Sequence, residues 1–369
     1  MTTFGAEAPV WIDTFLAAAR EATDGAIARA LDEVLPQAAR RLGEAVRYAV
    51  LGSGKRFRPA LVLAAYETAG GRSPHIADLA AAREATDGAI ARALDEVLPQ
   101  GARRLGEAVR YAVLGSGKRF RPALVLAAYE TAGGRSPHIA DLAAAVEIVH
   151  AYSLVHDDLP CMDNDDLRRG RPTVHRAFDA RFATVAGFAM VPVAAAAAVR
   201  GAALLGLPAP VTRRVLELLF RAAGAGGMIG GQVLDLAAGG RRLAPEALLE
   251  INALKTGALI AASVEIGAVA AGVAPEGCVV YRAYGEDVGE AFQIADDVLD
   301  LTATSDQLGK TPGKDAKLGK PTFPIVFGVE PARREAEHLA ERAVAHLDGA
   351  AISSPLLAAL ARFVVARRL

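Results

Sequence analysis

Apolar positions recur at helical spacing along nearly the whole chain. In the segment 88–114, "DGAIARALDEVLPQGARRLGEAVRYAVL", they form a stripe with a period of 3.6 residues, which Pro99 and Gly101 interrupt. The same spacing predicts further helices over residues 123–133, 141–159, 215–222, 245–266, 281–301 and 330–347. Alternating patterns typical of strands are scarce, and only 5% of the residues are aromatic. The pattern therefore predicts an all-α protein.

Two stretches depart from this helical pattern. The run Ala183–Val199 is apolar except for Thr184, is closed by Arg200 and contains Pro192. Because it is short for a bilayer span, we interpret it as a buried central helix and expect no membrane span. The segment 302–324 holds three glycines and four lysines. That composition favours a mobile loop over a charged ligand.

The chain contains an internal duplication. Residues 16–78 recur at 79–141 with a single difference, Ala38 against Gly101, so that "LGSGKRFRP" stands at both 51–59 and 114–122. Functional solenoids usually have three or more units whose letters drift. We therefore interpret the pair as a tandem duplication and not as a repeat scaffold. The predicted organisation is an N-terminal extension of residues 1–82, followed by one domain of residues 83–369.

Composition narrows the functional classes. The formal net charge is −1 over 369 residues, so no nucleic-acid partner is expected and any anion site has to be local. The presence of only two cysteines argues against a disulfide framework and fits a reducing compartment. The start, "MTTFGAEAPVWIDTF", lacks the pattern of a signal peptide. A cytoplasmic location is the expectation.

Two aspartate clusters carry the candidate chemistry. The first lies in "HDDLPCMDNDDLRRG" and includes Asp157, Asp158 and Asp163; the second, "QIADDVLD", places Asp296 and Asp300 on one helical face. Like charges at this spacing destabilise a helix, so a solvated acidic face explains two such clusters poorly. Carboxylate oxygens suit Mg²⁺, which typically bridges carboxylates to substrate phosphates. A metal-bridged polyphosphate ligand is predicted.

The glycine-rich turn is not a nucleotide-binding P-loop. The pattern GxxxxGK[ST] needs Gly where Ala112 stands and Ser or Thr where Arg119 stands. The ligand is therefore predicted to be a diphosphate whose hydrocarbon tail enters the apolar helices.

Six stretches now give a resemblance. They are "GKRFRP", "HAYSLVHDDLPCMDNDDLRRGRPTVH", "GGQVLDL", "LKTGAL", "AFQIADDVLDL" and "DAKLGKPTFP", and they run in order from about residue 84. Together they resemble the trans-isoprenyl diphosphate synthases, or polyprenyl synthetases. The resemblance implies an isoprenoid (terpenoid) synthase helical bundle around a deep central cavity, in a homodimer, with the two aspartate helices facing each other across the mouth.

The resemblance also implies site residues for a head-to-tail condensation. Mg²⁺, or alternatively Mn²⁺, would be held by Asp157, Asp163 and Asp296, with Asp158, Asp297 and Asp300 in support. The allylic diphosphate would contact Arg168, Lys255 and Lys310, and these three join Asp157, Asp158, Asp163, Asp296 and Asp297 as the catalytic set. The diphosphate of isopentenyl diphosphate would contact Lys118, Arg121, His150 and Arg169. Thr256 and Gln293 match positions near the allylic substrate, and Lys320 matches a further lysine at the mouth.

Product length is expected to depend on two residues of the first aspartate helix. Ser153 and Tyr152 precede Asp157 by four and five residues, roughly 6–7.5 Å along a helix. In the family an aromatic side chain at Tyr152 resembles the floor for a fifteen-carbon product, which favours farnesyl over geranylgeranyl diphosphate. The chain departs from the family at Phe188, where many relatives have Asp, and this leaves rate and chain length open.

Some alternatives remain. A terpene cyclase of the same fold would not need the isopentenyl site, and its second metal motif is usually richer in Asn, Ser and Glu. A non-catalytic partner subunit usually lacks the first aspartate motif. Asp235 is either a supporting residue or merely polar, and His156 is interpreted as structural. Because a looped-out copy costs entropy, Lys55 and Arg58 of the first copy are given no function.

Overall fold

The computed structural model describes residues 75–98, 103–114, 119–239, 243–302 and 322–366. The chain divides into two compact units, Met1–Ala80 and Ala81–Leu369, and the account below concerns the second. The predictions for Lys55, Arg58, Lys118, Lys310 and Lys320, and for the loop between residues 302 and 322, lie outside the described residues.

The described chain is built from helices. Their bounds are α1 (His75–Val97), α2 (Arg103–Val113), α3 (Phe120–Thr131), α4 (Ile139–Asp157), α5 (Val174–Ala177), α6 (Ala180–Leu204), α7 (Ala209–Ala223), α8 (Met228–Ala238), α9 (Pro245–Asn252), α10 (Ala258–Ala270), α11 (Pro275–Thr302), α12 (Phe323–Phe327), α13 (Val329–Gly349) and α14 (Pro355–Ala366). A π-helical turn, Ala253–Gly257, joins α9 to α10. A two-stranded antiparallel hairpin, β1 (Leu167–Arg168) and β2 (Arg171–Pro172), interrupts them. The all-α prediction is confirmed.

Helices α4 and α10 form the centre of the bundle. α4 packs along α6 and against α3, while α10 packs against α3, α7 and α11. Every residue of α10 from Leu259 to Ala270 is buried, as expected for a helix that is apolar on all sides. Glycines allow the closest approach: a Cβ atom at Gly289 of α11 would lie 2.7 Å from the Cα of Gly257. This contact brings the second aspartate cluster close to the π-helical turn.

The prediction of a buried central helix over Ala183–Val199 is partly wrong. A helix forms there, but Val185, Phe188 and Val199 are exposed, and only the face that carries Ala186 and Met190 is buried. The physical reason is that a run apolar on every side does not reveal which face packs against a neighbour.

Three helical segments are long and apolar enough to cross a membrane by length and composition. They are Ile139–Asp157, Ala180–Leu204 and Pro245–Ala270. The most apolar windows of the first and third are 78% and 72% buried within the protein, against 44% for the second. Length and composition alone therefore do not distinguish core helices from membrane spans in this chain.

Candidate active site

The first aspartate cluster lies where α4 ends. The backbone N–H of Asp163 donates to the carbonyl oxygen of Asp157 at 2.8 Å, which returns the loop to the end of the helix. Burial raises the pKa of Asp157 to about 6, and the negative charges of Asp163 and Asp158 act in the same direction. Lys255 and Arg168 oppose this shift. Asp158 and Asp163 therefore lie close enough to Asp157 to influence its pKa.

Asp158 and Arg168 form a bidentate ion pair. The Arg168 Nε donates to the Asp158 carboxylate at 2.8 and 2.9 Å, and Nη2 donates to Oδ1 at 2.6 Å. The Asp158 side chain is buried. Burial raises its pKa, and the hydrogen bonds and charge of Arg168 lower it. The structure therefore places Asp158 as the residue that orients Arg168 beside Asp157.

The π-helical turn Ala253–Gly257 presents Lys255 to the first cluster. The Lys255 Nζ donates to Asp235 Oδ2 at 2.7 Å. Gly231 of α8 makes this possible, because a Cβ atom there would lie 2.3 Å from the backbone nitrogen of Lys255. The sequence left Asp235 as either a supporting residue or merely a polar one. Its hydrogen bond with Lys255 favours the supporting role.

The same turn presents Thr256 to the second cluster. Thr256 Oγ1 donates to Gln293 Oε1 at 2.6 Å, and Gln293 Nε2 donates to Asp297 Oδ1 at 2.7 Å. The other carboxylate oxygen of Asp297 accepts from the backbone N–H of Phe323 at 3.3 Å. Consecutive residues of one turn therefore reach the two aspartate clusters.

A basic cavity that is open to solvent lies beside the first cluster. Its charged and titratable lining consists of Arg119, Glu147, His150, Asp158, Arg168, Arg169 and Arg171, together with Tyr111. Arg119 has a structural role, because its guanidinium donates to Asp87 at 2.8 Å and to Glu147 at 2.9 Å. Arg168, Arg169 and Arg171 give the rest of this lining a basic character.

Arg121 and His150 are the most strongly perturbed groups near this cavity. Burial lowers the pKa of Arg121 to about 10, and Arg169 acts in the same direction, whereas Glu147 and Asp296 raise it. The buried Nε of Arg121 has no hydrogen-bond partner among the described residues. The pKa of His150 is lowered well below its usual value, first by burial and then by Arg121, Arg169, Arg168 and Arg119. Each of these groups would gain from an anionic ligand.

Within the described ranges, no three His, Cys, Asp or Glu side chains converge into a ready metal site. The donor chemistry nevertheless fits Mg²⁺, since each cluster offers only carboxylate oxygens and Mg²⁺ usually completes its shell with water and substrate phosphates. Burial is the main cause of the raised pKa of Asp157, and a bound cation would favour the charged form of this carboxylate. By the family resemblance, Asp157, Asp163 and Asp296 would hold the metal, and Asp158, Asp297 and Asp300 would support them.

The two predicted chain-length residues point to different surroundings. Tyr152 is 6% exposed, and its hydroxyl donates to the carbonyl oxygen of Ala223 in α7 at 3.3 Å. Ser153 is used locally, because its hydroxyl donates to the His150 carbonyl oxygen at 2.9 Å. Tyr152 is therefore held across the bundle, whereas Ser153 only bonds its own helix.

Phe188 stands beside His156, which the sequence analysis interpreted as structural. The rings of His156 and Phe188 meet edge-on at 5.3 Å, and His156 Nε2 lies 3.1 Å from the carbonyl oxygen of Thr184. Gly187 leaves the room for this ring, because a Cβ atom there would lie 2.0 Å from Nε2. Phe188 itself is 64% exposed, so the departure from the family pattern places an apolar ring at the surface of α6.

The model for the polyprenyl synthetase family matches residues 102–351. The chain belongs to the polyprenyl synthetase family. It is 42% identical over 284 residues to a chloroplastic geranylfarnesyl diphosphate synthase from Leucosceptrum canum, which covers 76% of this chain and 78% of that protein. It is 41% identical over 270 residues to geranylgeranyl pyrophosphate synthase 7 from Arabidopsis thaliana, covering 72% and 77%.

A solved structure gives the same relationship. The geranyltransferase from Helicobacter pylori, complexed with magnesium and isoprenyl diphosphate, has a TM-score of 0.68 and 31% identity. The match covers 80% of this chain and 97% of that one. As a member of the polyprenyl synthetase family, the chain is a prenyltransferase of the short-chain trans-isoprenyl diphosphate synthase type.

Proposed function

We propose that the enzyme joins isopentenyl diphosphate to an allylic diphosphate, head to tail, with Mg²⁺ as its cofactor and Mn²⁺ as a possible substitute. The observation that carries this proposal is the buried Arg121, whose Nε has no hydrogen-bond partner among the described residues and whose pKa is lowered to about 10 by burial. A diphosphate would supply both the missing hydrogen bond and the missing charge. His150 and Arg169 both line the basic cavity and would bind the same ligand.

The allylic diphosphate belongs at the first aspartate cluster. Asp157, Asp163 and Asp296 would hold Mg²⁺, and the ion would supply positive charge to the departing diphosphate. Lys255, held by Asp235 at 2.7 Å, and Arg168, held by Asp158, add two oriented cations. Lys310 and Lys320 complete the set by family resemblance. Because the cations are oriented before the substrate binds, little reorganisation is needed as the carbon–oxygen bond breaks.

Thr256 and Gln293 would face the allylic carbon chain from the side of the second aspartate cluster. Their hydrogen bonds orient the Gln293 side chain, with Oε1 toward Thr256 and Nε2 toward Asp297. The double bond of isopentenyl diphosphate would attack the allylic cation, and the departing diphosphate would take the final proton. Lys118, Arg121, His150 and Arg169 would hold the isopentenyl diphosphate during this step.

We propose farnesyl diphosphate as the main product. Tyr152 supports this product because its ring is buried and its hydroxyl is anchored to α7 by the bond to Ala223. Relatives named for geranylgeranyl and geranylfarnesyl products favour a longer chain, so geranylgeranyl diphosphate is the second candidate. In that case the Tyr152 ring would not form the floor of the cavity.

Product analysis tests both statements. Purified full-length protein is incubated with isopentenyl diphosphate, Mg²⁺ and either dimethylallyl or geranyl diphosphate, and the products are identified by mass spectrometry. Farnesyl diphosphate supports the reaction and the product length, and geranylgeranyl diphosphate keeps the reaction and rejects the length. No product from either primer, in a protein that binds isopentenyl diphosphate, would favour a non-catalytic partner subunit, and a cyclic hydrocarbon would favour a terpene cyclase.

We further propose a cytoplasmic homodimer that has no nucleic-acid partner and does not span a membrane. The exposed apolar side chains Val185, Phe188 and Val199 of α6 support a subunit contact. The apolar helix α4 carries a buried charge, Glu147, which pairs with Arg119. Such a charge supports a position for this helix inside the bundle and not in a membrane. Sedimentation in detergent-free buffer tests the homodimer and the absence of a membrane span. A dimer is expected, and a protein that leaves the membrane fraction only with detergent would reject the proposal.

A further inference from the structure

The hairpin that carries Arg168 and Arg169 has an unusual turn. Strands β1 and β2 pair Leu167 with Pro172 and Arg168 with Arg171, so Arg169 and Gly170 form a two-residue turn. Both have positive φ, 56° for Arg169 and 74° for Gly170, which is the type I′ arrangement. Glycine adopts this conformation readily, but an arginine does so only when its surroundings hold it there. Arg169 is therefore kept in this conformation by the hairpin and the residues that close it.

Thr173 links the two ends of the hairpin through hydrogen bonds. Thr173 Oγ1 lies 2.8 Å from the Asp165 carbonyl oxygen, and the Thr173 backbone N–H donates to the Asp166 carbonyl oxygen at 3.0 Å. A carbonyl only accepts, so the single hydroxyl proton of Thr173 is committed to Asp165. Two bonds from one residue thus tie the chain after β2 to the chain before β1.

The geometry also assigns the tautomer of His175. Its Nδ1 lies 3.0 Å from Thr173 Oγ1. Because the Thr173 proton is already used, His175 Nδ1–H must be the donor. The neutral ring then keeps a lone pair on Nε2, which is buried without a hydrogen-bond partner among the described residues. Burial and Arg176 lower the pKa of His175, while Asp158, Asp166 and Asp165 raise it.

Thr173 and His175 are both nine-tenths buried. Arg169 and Thr173 line the basic cavity and His175 does not, but the hydroxyl proton of Thr173 is bonded to the Asp165 carbonyl oxygen. We propose that Thr173 and His175 act as positioning residues: the relay from His175 Nδ1–H through Thr173 Oγ1 to the Asp165 carbonyl holds Arg169 in its left-handed conformation and so aims its guanidinium at the second substrate diphosphate. This inference rests on the proposed function only in taking isopentenyl diphosphate as that substrate.

Paired substitutions test the relay. Thr173→Val keeps the shape and removes the hydroxyl, and His175→Phe keeps a ring and removes the donor. Each is expected to raise the KM for isopentenyl diphosphate about tenfold, the effect of one lost hydrogen bond, while kcat at saturation stays within about twofold. Thr173→Ser keeps the hydroxyl, and His175→Asn keeps an N–H near Nδ1, so both are expected to retain a KM near that of the wild type.

A double-mutant cycle separates positioning from a general loss of structure. In an Arg169→Ala background, Thr173→Val is expected to raise the KM for isopentenyl diphosphate no further, because the group that it positions is gone. A tenfold rise there as well, or an unchanged KM in both Thr173→Val and His175→Phe, would overturn the proposal. A wild-type protein that binds and consumes no isopentenyl diphosphate would instead reject the proposed function. Melting temperatures confirm that each variant is folded.

Discussion

The hydroxyl of Tyr152, on α4, donates a hydrogen bond at 3.3 Å to the carbonyl oxygen of Ala223, in the last turn of α7. The bond joins two helices of the bundle through residues that lie 71 positions apart along the chain. Burial raises the pKa of the Tyr152 hydroxyl to about 12, and the charge of Asp157 adds to the shift, so the hydroxyl stays protonated as a donor at neutral pH. The ring is therefore fixed between α4 and α7.

Replacing this ring is expected to lengthen the product. Tyr152→Ala should shift the main product from fifteen to twenty carbons, because it removes the proposed floor of the cavity. Tyr152→Phe, the matched control, keeps the ring and loses only the bond to Ala223, so it should keep the fifteen-carbon product. Liquid chromatography with mass spectrometry measures both. An unchanged product from Tyr152→Ala would mean that another side chain forms the floor.

The pair of Asp235 and Lys255 is expected to support bond breaking. Asp235→Asn keeps the size of the side chain and removes the charge that orients Lys255, so kcat should fall about tenfold, the effect expected for one charge-assisted hydrogen bond. Lys255→Ala should lower kcat about 10²-fold, because it removes an oriented cation from the departing diphosphate. Steady-state rates with geranyl diphosphate measure the effect.

Asp348→Asn serves as the control for this pair, since Asp348 is exposed at the end of α13. It should leave kcat unchanged. If Asp235→Asn behaved like Asp348→Asn while Lys255→Ala was inactive, Lys255 would not need Asp235 for its orientation.

His150 is expected to make the ligand-free protein less stable in acid. Its pKa is lowered in the folded state by burial and by Arg121, so below about pH 6.5 the unfolded chain binds a proton that the folded chain does not. Stability therefore falls as the pH decreases from 7.5 to 5.5. The melting temperature of His150→Asn should fall less over this range than that of the wild type.

His138, at the start of the same helix, provides the comparison, because its side chain is 47% exposed. His138→Asn should show the pH dependence of the wild type. Equal pH dependence in His150→Asn and the wild type would mean that His150 does not carry this acid sensitivity.

The two copies of "GKRFRP" are expected to be functionally unequal, although their letters are identical. If the copy with Lys55 and Arg58 bound the substrate, the 63-residue segment would have to be looped out, at a cost of roughly 3–4 kcal/mol. The double variant Lys118→Ala, Arg121→Ala should therefore lose about 10²-fold in kcat/KM for isopentenyl diphosphate. The matched variant Lys55→Ala, Arg58→Ala should stay near the wild type.

Deletion of residues 20–82 checks the same point without changing a side chain of the second copy. It restores the local sequence "LAAAREATDG" across the junction, and activity should remain unchanged or rise. Abolished activity would show that the first copy is needed.

Sequence periodicity was sufficient for several of the long helices. The stripe in residues 88–114 and its interruption at Pro99 and Gly101 correspond to α1, which ends at Val97, and α2, which begins at Arg103. Such predictions succeed because helix formation and helix breaking depend on neighbours within about four residues. The motif letters likewise identified the family and the residue types that a metal and two diphosphates require.

The tertiary structure decided what depends on distant pairs. Asp235 reaches Lys255 only because α8 approaches the π-helical turn at Gly231, and no local pattern encodes that approach. The sequence left Asp235 undecided for this reason, and it also misjudged α6, whose apolar letters are the same on its buried and its exposed face. Residue types and helix periods are local properties of the chain, so the sequence alone determined them. Which oxygen accepts from which cation, and which face meets solvent, depends on packing between helices far apart in sequence, and only the folded structure determines it.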